Sequence, residues 1–330
     1  MKNKIDKKLK KNFRLLLLTS ILSGVSGTGF AATITCTPEA DGSYLPGNVI
    51  PSCNTVSAAT ITQPSTAGFY ILTRSRLYET LIVGNTDVTA NVTGGYGGIG
   101  NQYASGAAGA SISTGDLKFK VTSVDGGAIL GTHAVVNITT KNVDATLTAN
   151  YGGGNSSGGV AQYGLLTGST VSSGETLDTG EYSTITTMNL KLNQTTTGGS
   201  TTPILNNGIR AIQGATSNAT LPNGGRGTAG QVIVNGILDM TLTGNRSVGI
   251  YVSGNATNHG VATDRAPVFN ALTPKVILNN DAKIIINKGT GSSFTTWDSH
   301  GIKLGKVRYA GEGPGILESH GNLVIDTTNA

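Results

Sequence analysis

Residues 232–255 read VIVNGILDMTLTGNRSVGIYVSGN. In ILDMTLT, Leu238, Met240 and Leu242 fall at alternate positions, with Asp239, Thr241 and Thr243 between them. Successive side chains of a strand point to opposite faces, so this segment reads as a strand with one apolar and one polar face. VIV precedes it across Asn235-Gly236, and a third apolar run, GIYV, begins at Gly249. The phrase predicts three short strands joined by two bends.

The same order returns along the chain. VVNITTKNVDATLTAN (135–150) is followed by YGLLTG (163–168), and ITTMNLKLNQ (185–194) by NGIRAIQG (207–214). VILNNDAKIIINKG (276–289) is followed by HGIKLG (300–305), and a last copy begins at NLVIDTTNA (322–330). The glycines that open the third strand are Gly164, Gly208, Gly249 and Gly301, at spacings of 44, 41 and 52. Length varies mainly in the Gly/Ser/Asn segments between strands. Asn-Gly between alternating strands is also a hairpin signal, which an antiparallel sandwich would use. A sandwich has no reason to repeat one three-strand phrase, whereas stacked coils do. The expected fold is all-β, a right-handed parallel β-helix over residues 81–330, incomplete at its C-terminus. Residues 32–80 fit the repeat poorly and are expected to form an N-terminal cap over the first coil.

Composition agrees with strands. Glycine supplies 48 of 330 residues while charged residues are only 12%, which leaves no material for long amphipathic helices. The formal charge of +5 suggests a polyanionic partner until the charges are located. Residues 1–31 hold seven Lys and Arg against Asp6, leaving 16 basic and 17 acidic residues in the remainder. No basic face is left for a nucleic acid. The N-terminal segment has the parts of a secretory signal: a basic start, the apolar LLLLTSIL (15–22), and the small residues Gly29 and Ala31. Cleavage is expected after Ala31, making 1–31 a signal peptide. Export favours disulfides, and the chain's two cysteines, Cys36 and Cys53, flank a Pro- and Gly-containing loop suited to one.

On these features the chain resembles the N-terminal part of a bacterial autotransporter (type V secretion) passenger. The likeness rests on the signal-like segment and on phrases such as VIVNGILDMTLTGNRSVGIYVSGN, over roughly residues 80–330. It implies a β-helix carried through the periplasm to the cell surface of a Gram-negative bacterium. It also implies an adhesin or another protein that meets host or bacterial surface molecules, protein or glycan. Membrane attachment in that family is through a C-terminal β-barrel, and no barrel pattern occurs before residue 330. Alternatives on the same scaffold are a polysaccharide-acting enzyme, which needs converging carboxylates, and a stalk presenting a further domain.

Reactive residues are few. GYGGIG (95–100) has the spacing of a dinucleotide fingerprint, but the glycine-broken NQYASGAAGASIST that follows suits no phosphate-binding helix. No nucleophile elbow occurs. The acids, including Asp239, Asp281 and Asp298, read as mostly isolated. DSHG (298–301) and ESHG (318–321) are near copies 20 residues apart, about one coil of a compact β-helix. If they stack, His300 lies over His320 and Asp298 over Glu318, a set that could supply three ligands to a metal such as zinc. The plainer reading is a repeated turn phrase, so no metal, cofactor or catalytic residue is expected.

Overall fold

The computed structural model describes residues 34–38, 54–57, 59–62, 71–73, 80–92, 98–101, 110–123, 126–132, 136–151, 161–168, 182–198, 205–213, 229–244, 246–255, 272–289, 299–305, 312–313 and 315–329. The chain divides into two units, Met1–Ile34 and Thr35–Ala330, and the architecture below is that of the second. Among the described residues it is all-β, without a helix. Nearly every strand pairing is parallel; the exception is Glu312–Gly313, which runs antiparallel to Gly254 and Asn255.

Among the described residues the strands fall into eight successive coils, whose first and last strand residues are 55 and 73, 80 and 101, 110 and 131, 136 and 167, 182 and 212, 229 and 255, 275 and 304, and 316 and 329. In most coils a first and a second strand lie in one sheet of 14 strands, and a third lies in a second sheet of eight. Only the first two strands of coil 8 are described. In coils 4 and 5 the first and second strands are continuous, as Val136–Tyr151 and Tyr182–Gly198. Each strand hydrogen-bonds to its counterpart one coil away. This is a β-solenoid-like fold, as the repeated phrase predicts. Asn235-Gly236 makes a bend within coil 6, not a hairpin, because Ala229–Val234 and Leu238–Thr243 both pair with neighbouring coils. Thr55 and Val56 already pair in parallel with Ile82 and Val83, and Thr35 forms a parallel bridge to Thr55, with the Cys36 amide donating to the Thr55 carbonyl (2.7 Å). Residues 55–73, within the segment expected as a cap, thus supply strands to the same two sheets.

In-register stacking sorts the apolar residues into interior columns. One runs Leu81, Ile112, Ile138, Ile185, Val232, Val276 and Leu317 through the first strands. Another runs Ile61, Val88, Phe119, Ala145, Leu192, Met240, Ile284 and Ile325 through the second. A third runs Ile99, Leu130, Leu165, Ile209, Ile250 and Ile302. Most of these residues are fully buried, and each large one contributes about 1.5–3 kcal/mol by leaving water.

The third-strand glycines explain their own recurrence. Gly164, Gly208, Gly249 and Gly301 occupy one column, facing the interior. A Cβ at Gly208 would run into the sulfur of Met240, at Gly249 into Ile284, at Gly301 into Ile325 and at Gly164 into Leu192. Each glycine makes room for the large second-strand residue of the next coil. Coil 3 reverses the arrangement: the glycine position holds Ile129, and the next coil's second-strand residue is Ala145. Bulk is exchanged across the core while total volume is kept.

Polar side chains at the corners of the coils find partners inside. Ser183 Oγ donates to Thr132 Oγ1 (2.6 Å), which donates to Thr167 Oγ1 (2.8 Å); Thr167 in turn donates to the Ser183 carbonyl (2.6 Å). All three residues are fully buried, tying the end of the third strand in coils 3 and 4 to the start of coil 5. At the opposite corner Gln194 Nε2 donates to Asn206 Oδ1 (2.6 Å), and Asn206 Nδ2 donates to Ser247 Oγ (2.9 Å) of the next coil.

Two consequences can be measured by urea unfolding. Gly208→Ala should lower stability by about 1–3 kcal/mol through overpacking. In a Met240→Ala background the same change should cost less, because the side chain it meets first is gone and only the Gly249 carbonyl oxygen, 2.8 Å away, still crowds it. Equal cost in both backgrounds would refute the steric pairing.

Candidate interaction surface

The exposed bend between first and second strands carries a polar ladder. Asp116 N donates to Asn85 Oδ1 (3.0 Å), and Asn142 donates to Asp116 Oδ1 from its side chain (2.8 Å) and backbone (3.2 Å). Asn189 Nδ2 donates to Asn142 Oδ1 (2.7 Å), and the Ile237 amide donates to Asn189 Oδ1 (2.7 Å). From coil 6 onward the bend is one residue longer, and the ladder restarts where Asn279 Nδ2 donates to Asn235 Oδ1 (2.9 Å) and continues where Asn322 N donates to Asp281 Oδ1 (2.9 Å).

Glu318 and Ser319 end the first strand of coil 8, opposite Ile277 and Leu278, and His320 sits in the bend, its amide bonded to the Leu278 carbonyl. His300 opens the third strand of coil 7, opposite Val248. His300 lies in a third strand and His320 in a bend between first and second strands, so the condition for a shared metal site, one phrase stacked on the other, is not met. The physical reason is coil length. One coil takes a whole three-strand phrase, and 20 residues after His300 the chain has reached another corner of the next coil. Glu318 Oε2 lies 4.0 Å from His320 Nε2, and both side chains are exposed. Asp298 lies outside the described residues. Among the described residues no group of three or more His, Cys, Asp or Glu could hold a metal. Cys36 is buried and disulfide-bonded; Cys53, the only other cysteine of the sequence, lies outside the described residues. Of GYGGIG, Ile99 and Gly100 lie in a third strand.

The outer face of the third-strand sheet is largely covered. Ala128, Leu166, Ile212, Val248 and Tyr251 form a second buried cluster there, and Arg210 lies 5.3 Å from the Tyr251 ring centroid.

The outer face of the second strands is the most regular exposed surface. Its first column reads Thr60, Asp87, Lys118, Asp144, Lys191, Asp239, Lys283 and Val324, one residue per coil in direct register. Six charges alternate in sign without interruption between two uncharged ends. Asp144 Oδ2 and Lys191 Nζ approach to 3.5 Å, with both side chains about half exposed. A second column holds Thr89, Lys120, Thr146, Asn193, Thr241, Ile285 and Asp326, and a third holds Thr122, Thr148, Thr195 and Thr243. Asp239 is therefore not isolated, as spacing along the chain suggests; it stands between two lysines. The signal was present in the short phrases TDV, LKF, VDA, LKL, LDM and AKI, whose middle residues alternate in charge once aligned.

Parallel stacking puts each residue beside its equivalent in the next coil, so a repeated charge would repel itself along the whole column. Alternation replaces that repulsion with attraction, worth about 0.2–1 kcal/mol where the charges close to an ion pair, as Asp144 and Lys191 do. Comparisons with protein-family models, curated proteins and solved structures return no match for this chain.

Lys191→Glu would place three acids in succession and should cost about 1 kcal/mol at low salt, less when salt screens the column; urea unfolding at two ionic strengths reads both. Asp326 offers a pH test. The Thr328 hydroxyl and amide donate to its carboxylate, with the amide at 2.9 Å, and with Lys283 nearby they hold its pKa below the usual value. A depressed folded pKa stabilises above the unfolded pKa and is lost as pH falls through the folded one. Protection of the Thr328 amide from exchange, measured by NMR, should therefore drop only below the ordinary carboxylate range. Zinc titration should show no difference between the wild-type chain and His300→Ala, since His300 and His320 lie on separate columns; a shared site would abolish binding in the variant.

Proposed function

We propose that this chain is the N-terminal part of an exported autotransporter passenger, a right-handed parallel β-helix displayed on the cell surface and working there as an adhesin. The observation that carries the reading is a parallel solenoid following a basic, apolar, small-residue N-terminal segment. Right-handedness follows from the twist preference of parallel crossovers. A disulfide at Cys36 suits an oxidising compartment. The exposed polar columns are the described surface available to host or bacterial surface molecules, because the interior columns are committed to packing.

Two measurements test it. N-terminal sequencing of the product from a Gram-negative host should find Ala32 at the mature end, with cleavage after Ala31. Protein bearing residues 32–330 should bind intact cells saturably, and an unprocessed cytoplasmic product with no cell binding would sink the proposal.

A further inference from the structure

The alternating column is complementary to its own reversal. Six charges run Asp87, Lys118, Asp144, Lys191, Asp239, Lys283. Read backwards, every acid meets a base: Asp87 meets Lys283, Lys118 meets Asp239, and Asp144 meets Lys191. We infer that this face docks against the same face of a second copy of the chain, about a two-fold axis parallel to the strands and passing between coils 4 and 5.

The geometry selects that arrangement. Two faces can be brought together by rotation about the solenoid axis or about the strand direction. The first keeps coil order, so with the axis along the charged column it sets acid against acid; the second reverses coil order and sets acid against base. Rotation about the strand direction also keeps each column opposite itself. In the second column Lys120 then meets Thr241, Thr146 meets Asn193, and Thr89 meets Ile285; in the third Thr122 meets Thr243 and Thr148 meets Thr195. No like charges oppose one another among these pairs, and the hydroxyls and amides can bond across. A slip of one coil would oppose acid to acid and base to base along the whole first column, so the register is specified as well as the direction. An isologous contact of this kind closes at two copies.

The face is small. Rungs about 4.8 Å apart and columns about 7 Å apart cover only a few hundred Å², below the ~800 Å² per partner of a stable complex. The association is therefore weak and salt-dependent, and it gains from crowding many copies on one surface, where local concentration is high. It does not depend on the export reading, because the columns belong to the fold.

Single substitutions at the centre decide it, using sedimentation velocity of the full chain at high concentration. In about 20 mM salt the wild-type chain should show a concentration-dependent shift from monomer toward dimer, lost at about 500 mM. Lys191→Asp sets a second acid against Asp144 in both halves, and Asp144→Lys sets lysine against lysine, so each variant alone should remain monomeric. Mixed together they restore both central pairs and should associate again. Circular dichroism of each variant checks that the coils are intact; should either be unfolded, Lys118→Asp and Asp239→Lys repeat the design one coil outward. A wild-type chain that stays monomeric at low salt, a dimer that survives high salt, or a mixture that fails to associate overturns the inference.

Discussion

The described strands of each coil are hydrogen-bonded to those of the next, in register except for a shift between Ile285 and Asn287, so a side chain has its neighbour in the equivalent place roughly 4.8 Å away. That constraint governs the rest. An antiparallel sheet lets unlike residues face one another, but a stack of similar coils brings like against like. The chain must make such contacts favourable for apolar, polar and charged residues at once.

It does so in several ways. Apolar residues gain from stacking, and the interior columns of Ile, Leu and Val are the direct result. Bulk cannot accumulate at every interior position, so large second-strand residues are matched by glycine across the core, with Ile129 and Ala145 as the reversed case. Asparagine stacks on itself because its amide both donates and accepts, as Asn189 does to Asn142. Charge is the one property that cannot repeat, and the Asp and Lys of the outer column alternate accordingly. The regularity that satisfies the fold also leaves a patterned face, and surface chemistry here is a by-product of the solution to stacking.

The strands were legible because their alternation is local: Leu238, Met240 and Leu242 declare a buried face without reference to any other part of the chain. The recurring glycines were legible as a repeat, though not as spaces for Met240 or Ile284. The start of the solenoid was not. Residues 55–62 are short and polar enough to resemble a cap, and only their pairing with 82–89 assigns them to the ladder. DSHG and ESHG showed the opposite failure. Near-identical letters suggested equivalent places, whereas one lies at a third strand and the other at a bend.

By itself the sequence determined which segments are strands, which of their faces is apolar, and that one three-strand unit recurs. Those facts follow from side-chain alternation and composition, which act within a few residues. Only the tertiary structure decided which residues share a column, because inserts of unequal length separate the coils. Hydrogen-bond register is blind to those inserts. It places Asp144 beside Lys191 across 47 positions of chain while keeping His300 and His320, 20 apart, on different columns.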